Sequence, residues 1–524
     1  MQIDEVIIKE LVRPGIKTQA DLMRAKRRIA KKTRTSFIKN SNLLKIYHKL
    51  VQNKRIKRSE KLENILKTRP IRSLSGIVNV SVLTKPYPCP GKCIYCPSQE
   101  NAPKSYLDNE PAVMRAISNK YKPVRQVKTR IQMLEENGHP TDKIELRIIG
   151  GTWSFYPKKY QTNFIKNCFD ACNQTKSVNL KQAQHKNEKT KHRIVGLSIE
   201  TRPDFIDEKE IKRMRSLGIT RVELGIQSIY NDVLKINKRG HKIESAIKAT
   251  KLLKDAGFKV SYQMMLNLPG SDIKKDLEMF KQLFHNSDFQ PDLLKIYPTA
   301  LLKEAPLYKW WLKERYQPYI SEQLVSLIKS IKKYIPYYVR IERIIRDIPS
   351  TSIVAGPIKI SNLRQSIAKE IEKDGWHCHC IRCREIGKDY DKNEKLKLFR
   401  EDYDASQGKE IFLSFEDKKR NKIYSLLRLR IAPIEKHFLP VLNNTAIIRE
   451  IHTYGQQLAL GQEKMPNLSV QHKGLGKKLI LEAEKITQTE FNLKKIAVIS
   501  GIGAREYFKK LGYKLQDEYM IKNL

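Results

Sequence analysis

Apolar and polar positions alternate in blocks along the middle of the chain. Seven apolar runs have the length of buried strands, at residues 76–83, 144–149, 194–199, 221–226, 258–266, 293–297 and 338–345. Amphipathic stretches of helical period separate them, at 111–136, 158–172, 207–217, 243–256, 272–286 and 320–334. A strand–helix repeat of this kind predicts a parallel sheet that curves into a full or partial barrel.

The pattern changes on both sides of this repeat. Residues 1–70 combine apolar positions at helical spacing with many basic residues, which predicts a small helical module. Beyond residue 395, strands are predicted at 410–415, 423–431, 446–453 and 494–500, with a helix over 475–489. We therefore predict an α/β protein with four parts: a basic helical module (1–70), a barrel domain (71–350), a linker (351–394) and a second α/β domain (395–524).

The charge balance narrows the choice of partners. The 524 residues include 101 Lys and Arg against 56 Asp and Glu, a formal net charge of +45. An excess this large favours a polyanionic partner, and nucleic acid is the first candidate. An anionic membrane is the alternative, but the chain has neither the run of about 18–20 apolar residues that a span needs nor an evident basic amphipathic helix. The N-terminus has no signal-peptide pattern, so we expect a cytoplasmic protein without membrane contact.

The first 70 positions hold about 20 Lys and Arg against 6 Asp and Glu, with clusters at 24–28 and 54–58. A helical face of this composition contacts nucleic-acid phosphates and adds affinity without reading sequence. We therefore predict a nucleic-acid-binding role for this module. A solvated arm without a partner is the alternative.

Three cysteines follow the first predicted strand at the spacing C-x3-C-x2-C: Cys89, Cys93 and Cys96. Gly91 lets the loop turn tightly enough to aim several thiolates at one point. Three thiolates suit a four-iron cluster in which one iron stays open to bind another molecule. The alternatives are a zinc knuckle with a distant fourth ligand, or a disulfide pair with a spare thiol.

Glycines and polar residues follow the next predicted strands, where the ligand sites of parallel sheets lie. A glycine pair permits close approach of a ligand. Together with the cysteines these residues form a rim that we expect to bind a cofactor: Gly150 and Gly151 after the second strand, Glu200 and Arg202 after the third, and Gln227 after the fourth.

A second group of three cysteines falls between the two predicted domains: Cys378, Cys380 and Cys383. The spacing C-x-C-x2-C beside histidines predicts a structural tetrahedral zinc site, with His377, His379 or a remote residue as fourth ligand. A second iron–sulfur site is the rival interpretation. The remaining pair, Cys168 and Cys172, is spaced for one helix face and is expected to pack in the core.

A glycine-containing turn opens the predicted helix over 475–489. Gln471, Gly474 and Gly476 give the pattern Q-x-x-G-x-G, which leaves backbone N–H groups free at a helix N-terminus, where a pyrophosphate binds well. A dinucleotide fingerprint is the alternative. It fails because the third glycine is missing and no acidic residue follows at the right distance.

Both motifs resemble those of known families. The C-x3-C-x2-C loop resembles the radical S-adenosylmethionine (SAM) superfamily, and the Q-x-x-G-x-G turn resembles the acetyl-CoA loop of GNAT acetyltransferases. With a basic N-terminal module in the same chain, they resemble the catalytic subunits of Elongator, the tRNA wobble-uridine acetyltransferases. The short cysteine loop and the second cysteine group look more like archaeal or bacterial members, which act without other Elongator subunits. The stretches that carry the resemblance are 85–89, 110–116, 200–204, 449–455 and 495–501.

The resemblance implies roles for individual residues. The cysteine loop would hold a 4Fe–4S cluster with SAM on the open iron, and Lys143 would contact acetyl-CoA. Phe508 stands beside Tyr507 in the same acetyl-CoA site, where the family often has a second tyrosine, so one hydroxyl is absent. His452 and Tyr507 would be acid–base or positioning groups, with a packing role as the alternative. Further acetyl-CoA contacts are implied for Glu450, Ile451, His452, Thr453, Leu475, Gly476 and Lys477.

The implied reaction places a carbon substituent on tRNA. A radical derived from SAM takes hydrogen from the acetyl methyl group, the acetyl radical adds to carbon 5 of the wobble uridine, and thioester hydrolysis leaves 5-carboxymethyluridine. The implied partners are the tRNA anticodon stem-loop, acetyl-CoA, SAM and an electron donor, and a homodimer stays open. The alternatives are a lysine (histone or protein) acetyltransferase and a tRNA-binding scaffold with vestigial sites.

Overall fold

The computed structural model describes residues 7, 10, 16–34, 36–69, 72–356, 362–387, 391, 393–432, 436–455 and 474–524. Its helices and strands form an N-terminal set of helices, a parallel sheet with helices on its outer face, and a mixed sheet. Across these ranges, no helix combines the length and the apolar character needed to cross a membrane.

The N-terminal helices are α1 (Gln19–Thr33), α2 (Asn40–Gln52) and α3 (Glu60–Leu66). Thr18 caps α1 because its hydroxyl accepts from the N–H of Asp21 at 3.2 Å, while the Asp21 carboxylate accepts from the N–H of Thr18 at 2.8 Å. The inner faces of the helices share a small core that includes Leu22, Ile29 and Tyr47. Basic side chains are therefore left on the outer faces.

The first sheet has seven parallel strands that follow one another in chain order. In the described part of the chain, the first and last strands are the edges of the sheet, so the barrel is partial and the predicted strand–helix repeat is confirmed. The strands are β1 (Val78–Leu83), β2 (Lys143–Ile149), β3 (Arg193–Thr201), β4 (Arg221–Gln227), β5 (Lys259–Leu266), β6 (Leu293–Pro298) and β7 (Arg340–Arg343).

Helices cover the outer face of the partial barrel. The predicted helical stretch 111–136 is two helices, because Pro123 cannot continue the first one. Cys168 and Cys172 are fully buried in the outer core, as predicted. The helices are α4 (Pro111–Ser118), α5 (Pro123–Glu136), α6 (Lys158–Asn173), α7 (Leu180–Asn187), α8 (Glu208–Ser216), α9 (Asn231–Ile236), α10 (Ile243–Asp255), α11 (Ile273–His285), α12 (Leu307–Leu312) and α13 (Ser321–Lys333), followed by α14 (Leu363–Lys373) and α15 (Ile381–Arg384).

The inner face of the barrel carries charge instead of the branched apolar layers common in closed barrels. The carboxylate of Glu223 accepts from Arg147 at 2.8 Å and from Arg221 at 3.0 Å, and it also pairs with Lys295. Burial alone would raise the pKa of Glu223, but Lys295, Arg147 and Arg221 hold it well below its ordinary value. The lumen is therefore filled by paired ions.

The second sheet is mixed, which confirms the predicted second α/β domain. The strands are β8 (Lys397–Ala405), β9 (Gly408–Glu416), β10 (Ile423–Ile431), β11 (Ala446–Thr453), β12 (Lys495–Val498), β13 (Lys514–Gln516) and β14 (Tyr519–Asn523), with helices α16 (Leu475–Thr489) and α17 (Arg505–Lys509). Their order in the sheet is β13-β14-β12-β11-β10-β9-β8, and β11 and β12 pair in parallel up to Ile448 and Val498, where β12 ends.

The second sheet packs against the amino ends of the barrel strands. Arg449 on β11 bonds to Asp292, which precedes β6, at 2.5 Å, and Arg430 on β10 bonds to Asp255, which precedes β5, at 2.5 Å. Burial of these ions is compensated by pairing, since lone charges in such a place would be very costly. We call this group the interdomain ion lattice: Lys254, Asp255, Asp292, Glu410, Arg428, Arg430 and Arg449.

Candidate functional site

The loop after β1 carries three free cysteines: Cys89, Cys93 and Cys96. Backbone hydrogen bonds hold it on two sides, from Ile94 N to Asn237 O at 3.2 Å and from Leu307 N to Ile94 O at 2.8 Å. The described cysteines that gather their sulfurs within 4.8 Å of one another are those of the second group, so the sulfurs of this loop are spread more widely. A wider spread suits a cluster of several irons better than a single zinc ion.

Two buried arginines lie against the cysteine loop. Arg239 is 6% exposed, and it donates to the sulfur of Cys93 at 3.6 Å and to the carbonyl of Gly225. Arg202 is 4% exposed, and Asp204 binds it through both carboxylate oxygens at 2.9 and 2.7 Å. The remaining nitrogen of Arg202, Nη1, is buried without a hydrogen-bond partner in the described part of the chain. Positive charge is thus concentrated where thiolates would bring negative charge.

The chemistry of the loop fits a metal cluster. A Cβ atom at Gly91 would lie 2.7 Å from Arg202 Nη1, so glycine is needed for this close approach. Burial, followed by the charge of Cys93, raises the pKa of Cys96 to about 12. That sulfur keeps its proton unless a metal replaces it. Arg202 Nη1 and the sulfur of Cys96 are therefore available to bind a cluster and its ligand.

The glycine pair after β2 lies next to the loop. Both residues have positive φ, +120° at Gly150 and +71° at Gly151, where other residues are strained. A Cβ at Gly150 would come within 2.4 Å of Thr84 Oγ1, whereas a Cβ at Gly151 would meet its nearest neighbour at 4.0 Å. Thr152 places its hydroxyl 3.7 Å from the sulfur of Cys89. The pair forms one wall of a cradle that is open on the side of Gly151.

A cavity of about 80 Å³ lies beside the loop, and Cys96, Glu200 and Gln227 line it together. Glu200 accepts hydrogen bonds from the hydroxyl of Tyr106 at 2.8 Å and from the amide of Gln263 at 3.2 Å. Gln227 has φ +76°, and its buried Oε1 has no hydrogen-bond partner among the described residues. The structure thus brings two of the five predicted rim residues, Glu200 and Gln227, to one cavity beside Cys96 and leaves an acceptor open, whereas Gly150, Gly151 and Arg202 are not part of the cavity lining.

Sequence reasoning missed four residues of this region: Tyr106, Arg239, Gln263 and Arg346. Gln263 offered a signal, because it is a polar residue that directly precedes the apolar end of β5, residues 264–266. Arg239 and Arg346 lie in basic stretches, where a sequence gives no reason to choose one cation over its neighbours. Tyr106 reaches Glu200 from a loop 94 residues earlier, and this contact exists only in the folded chain.

The second cysteine group gathers its sulfurs within 4.8 Å of one another: Cys378, Cys380 and Cys383. Lys332 Nζ lies 3.6 Å from the sulfur of Cys383. Neither His377 nor His379 belongs to this group of ligand atoms within the described ranges, and the ring of His379 stacks on Tyr337 at a centroid distance of 4.4 Å. The geometry suits one ion held by three sulfurs, and the fourth ligand stays open.

A second set of predicted residues meets at the first turn of α16. Gly474, with φ +70°, precedes α16, and Gly476 lies in its first turn. A Cβ at Gly476 would lie 3.3 Å from the hydroxyl of Tyr507, 3.5 Å from Ile451 and 3.6 Å from the hydroxyl of Thr453. A glycine is therefore placed where a helix N-terminus, a hydroxyl-bearing strand end and a phenol converge.

The other predicted residues of the second domain divide by exposure. Leu475 and Phe508 are buried, and Phe508 packs edge-on against Tyr513 at a centroid distance of 5.8 Å. Lys477 is exposed on α16. Gln471 lies outside the described residues. The apolar members of the set thus contribute packing, and Lys477 contributes charge at the surface.

Glu450 and His452 are tied to the barrel. His452 Nε2 lies 2.7 Å from the carbonyl oxygen of Ser75, and burial lowers the pKa of His452. Glu450 accepts from Arg428 at 2.8 Å and from Lys259 at 3.0 Å. Burial would raise the pKa of Glu450, but Lys259 and Arg428 hold it well below its ordinary value. These contacts agree with the packing alternative for His452.

The two sets lie at opposite ends of the barrel. Lys143 is the first residue of β2, and burial lowers its pKa. Ser75, which contacts His452, precedes β1, and Lys259, which contacts Glu450, begins β5. The cysteine loop and the glycine pair follow the strands instead. The barrel therefore separates a thiol-rich site at its carboxyl end from a glycine turn at its amino end.

Comparison with known proteins agrees with this division. A family model described as the radical SAM superfamily matches residues 87–283, and one described as the Radical_SAM C-terminal domain matches residues 291–373. The solved structure of an archaeal Methanocaldococcus infernus Elp3 with an N-terminal deletion is 45% identical, with a TM-score of 0.75. That match covers 86% of this chain and 100% of the archaeal chain.

Similar sequences cover most of the chain. A tRNA uridine(34) acetyltransferase of Methanocaldococcus infernus is 48% identical over 88% of this chain and 88% of its own length. One from Dehalococcoides mccartyi is 46% identical over 86% of this chain and 99% of its own length. The Elongator complex protein 3 of Homo sapiens is 37% identical over 88% and 86%, respectively. The chain therefore belongs to the tRNA uridine(34) acetyltransferase family, whose human member is named Elongator complex protein 3.

Proposed function

We propose that this chain converts uridine 34 of tRNA to 5-carboxymethyluridine, with acetyl-CoA as the source of the added carbons and SAM as the radical source. The observation that carries the proposal is the presence of two separate groups of candidate ligand-binding residues in one chain, the thiol loop with its cavity and the glycine turn of the second sheet. A lysine acetyltransferase needs only the second site, so that alternative does not explain the cysteine loop and the buried arginines beside it.

At the carboxyl end, Cys89, Cys93 and Cys96 would hold a 4Fe–4S cluster. When bound, the cluster and SAM supply the hydrogen-abstracting radical that bond formation at the unactivated carbon 5 of uracil requires. Gly151 leaves room for a ligand backbone, and Arg202 Nη1 offers an unpartnered N–H to an anionic group. We assign the acceptor atoms that face the cavity, on Glu200 and Gln227, to the hydroxyl and N–H groups of bound nucleosides.

At the amino end, acetyl-CoA would bind over the start of α16, where backbone N–H groups attract a pyrophosphate. We assign Ile451 and Thr453 to the contacts of acetyl-CoA beside this turn, because both lie next to Gly476. The hydroxyl of Tyr507 is available there as a donor, whereas His452 acts as a positioning residue through Ser75. Lys143 supplies a cation on the barrel side.

The second cysteine group would hold zinc that fixes the segment between barrel and second sheet, since three sulfurs within 4.8 Å match a single ion. The tRNA would be attracted by the net charge of +45, and its target base would leave the anticodon loop to enter the cavity. An external electron donor must reduce the cluster. We place this reaction in the cytoplasm.

The experiment is nucleoside mass spectrometry of tRNA after anaerobic incubation with reconstituted protein, acetyl-CoA, SAM and a chemical reductant. We expect 5-carboxymethyluridine with the wild-type chain and none with Cys93→Ala. Cys168→Ala is the matched control, because it removes an equally buried thiol away from the loop and should retain the product. Acetyl-CoA affinity should be unchanged in both variants, because their sulfurs are remote from α16.

Two results would contradict the proposal. One is product formation by Cys93→Ala at the wild-type rate. The other is acetylation of lysine peptides by the wild-type chain at a rate that does not respond to tRNA, which would favour the acetyltransferase alternative. Under the proposal, acetyl-CoA hydrolysis rises when tRNA is added, since both substrates must be present for turnover.

A further inference from the structure

The open side of the barrel lies between its edge strands, β1 and β7. The segment that follows the cysteine loop crosses this opening. Asn109 donates to the hydroxyl of Ser352 at 2.8 Å, and Arg346 donates to the hydroxyl of Ser105 at 3.1 Å. Ser105 and Arg346 also line the cavity beside the cysteines. The outer surface of this crossing is therefore directly outside the candidate reaction site.

Three arginines from three elements lie close enough together for their like charges, after burial, to lower the pKa values of Arg115 and Arg130, and we call them the seam arginines: Arg72, Arg115 and Arg130. Arg72 precedes β1, Arg115 is on α4 and Arg130 is on α5. Asn119 links the two helices, because its amide donates to the carbonyl of Arg115 at 2.7 Å and its Oδ1 accepts from Thr129 at 3.1 Å.

The position of Arg72 is fixed by a buried histidine. The next residue, Ser73, places its hydroxyl 3.0 Å from His139 Nδ1, and His139 Nε2 lies 2.9 Å from the carbonyl of Thr68. His139 follows α5, so the same contact ties the start of β1 to the helix that carries Arg130. The three guanidinium groups are held together by the fold and not by attraction between them.

These cations have no ion pair to a carboxylate across the described ranges. Arg115 donates to the backbone carbonyl of Pro111 at 3.1 Å, and the nearby carboxylate of Asp347 is already bound to Arg343 at 2.6 Å. Burial, and then the like charges of Arg115 and Arg72, lowers the pKa of Arg130 to about 10. Like charges held together and half-buried are unfavourable unless an anion joins them.

The arginines inside the barrel make the contrast clear. Arg147, Arg221 and Arg340 each have a carboxylate within 3.0 Å. The fold therefore supplies acidic partners to its interior cations and none to the seam arginines. An anion from outside the chain is the partner that this surface lacks.

We propose that Arg72, Arg115 and Arg130 form a binding site for phosphodiester groups of the RNA that carries the target uridine. The assignment rests on the proposed function for the identity of the RNA. Guanidinium forks bind phosphate oxygens in pairs, and three of them on separate elements suit successive phosphates of a chain better than one small anion. Because Arg115 lies near Asp347, whose neighbour Arg346 lines the cavity, phosphates held there would place a neighbouring base close to the cavity.

The experiment measures binding of a tRNA anticodon stem-loop to the full chain at several salt concentrations. Arg115→Gln with Arg130→Gln should weaken binding at least about tenfold at low salt and flatten the dependence of log K on log salt by about 1 to 2, since each lost phosphate contact removes a slope of about 0.7 to 0.9. Lys122→Gln with Lys128→Gln is the matched control. It removes the same charge from exposed positions at the start of and along α5 and should have a much smaller effect.

The outcomes separate the site from the proposed function. If the wild-type chain does not bind the stem-loop, the proposed function fails before any variant is compared. If it binds and the arginine and lysine pairs weaken it equally, the seam site is wrong. Acetyl-CoA binding is measured in parallel, and a loss there without loss of RNA binding would assign the arginines to the phosphates of CoA.

Folding is controlled by the melting temperature. Removal of like charges should leave it unchanged or raise it. Arg72→Gln tests the site independently, because Arg72 lies outside the two helices. We expect this substitution to lower RNA affinity severalfold. Arg115→Lys with Arg130→Lys keeps the charge without the fork and should fall between wild type and the glutamine pair. Wild-type affinity in both Arg72→Gln and the glutamine pair would overturn the proposal.

Discussion

Buried charged and polar groups have different partners at the two ends of the barrel. At the amino end, every ion of the interdomain lattice has an opposite charge within 3.8 Å. At the carboxyl end, Arg202 and Gln227 each keep a buried polar atom without a partner in the described structure, and burial raises the pKa of Cys96. Arg428 and Arg449 of the lattice also each keep one buried nitrogen without a hydrogen bond in the described ranges, but every lattice ion has a counter-ion, whereas the open atoms of the second end lie beside the cysteine loop or on residues that line its cavity.

This difference gives a way to tell structural polar groups from functional ones. A buried ion whose partners are all supplied by the chain stabilises the fold or its domain arrangement. A buried donor or acceptor left open is costly and points to a bound group. His452 belongs to the first kind through Ser75, and Arg202 belongs to the second.

The largest expected loss of stability comes from removing an arginine of the interdomain ion lattice. Arg449 bonds to Asp292 at 2.5 Å and to Glu410 at 2.8 Å, and all three side chains are buried. Arg449→Met would leave two carboxylates without their main partner. We expect the free energy of unfolding to fall by about 3–5 kcal/mol, as measured by urea denaturation.

Arg400 is the matched control for that substitution. It also bonds to two carboxylates, Asp402 at 2.7 Å and Glu490 at 2.6 Å, but at an exposed position. Arg400→Met should cost less than about 1 kcal/mol. Equal losses in the two variants would show that burial of the lattice does not set its contribution.

Two buried histidines, one at each end of the barrel, allow the two ends to be compared through the pH dependence of stability. His139 lies at the amino end, and both of its ring nitrogens have partners, at 3.0 and 2.9 Å. His241 lies near Arg239 at the carboxyl end, and its Nε2 is buried without a partner in the described ranges. Burial is the main cause that lowers the pKa of both histidines from 6.5 to about 4, with nearby cations adding to it.

The sign of the pH effect follows from proton uptake. Above pH 6.5 both histidines are neutral in the folded and in the unfolded chain. Between pH 6.5 and pH 4 each histidine binds a proton in the unfolded chain but not in the folded chain, so the free energy of unfolding falls as the pH drops. Each histidine should cost about 2 kcal/mol of unfolding free energy between pH 7.5 and pH 5. His139→Gln and His241→Gln should each remove their share of this loss.

The ends should differ at pH 7.5, where neither histidine is charged. His139→Gln breaks two hydrogen bonds and should destabilise by about 1–2 kcal/mol, whereas His241→Gln should cost less because one nitrogen has no bond to lose. Thermal unfolding at pH 7.5 and pH 5 measures both quantities. A larger loss for His241→Gln at pH 7.5 would contradict the view that the carboxyl end is incomplete.

The sequence predicted the parts of the fold that depend on local pattern. The alternation of Val78, Val80 and Val82 predicts β1 without reference to any other element, and the spacing of Cys89 and Cys93 predicts a metal loop by itself. The sequence analysis did not predict strands β8, β13 and β14. The residues of β8 and β13 are largely exposed, so burial leaves no apolar signature, and β14 has only five residues, of which three are buried.

Contacts between distant residues could not be predicted. Arg147 and Glu223 are 76 residues apart and meet only because parallel register places them inside one lumen. Arg239 reaches Cys93 across 146 residues. Charge in a sequence reports solvation on average, and which charges are buried together is decided by the topology.

The smallest predicted effect tests whether Arg239 acts on the cysteine loop electrostatically. Its guanidinium lies 3.6 Å from the sulfur of Cys93, so it should favour the more negative, reduced state of a bound cluster. We expect Arg239→Gln to lower the equilibrium constant for one-electron reduction about tenfold, a fall of about 59 mV in midpoint potential. Electron paramagnetic resonance during a redox titration of the reconstituted protein measures it independently of turnover.

Lys238→Gln is the control, because it removes the same charge from the adjacent, exposed residue and should leave the potential nearly unchanged. Arg239→Lys keeps the charge and should give an intermediate potential. If Arg239→Gln binds no iron while Lys238→Gln and Arg239→Lys do, the arginine holds the loop itself, which is a stronger form of the same role. Equal potentials in Arg239→Gln and Lys238→Gln at full iron content would mean that Arg239 has a structural role, like the arginines at the amino end. The contrast between the two ends would then rest on Arg202 and Gln227 alone.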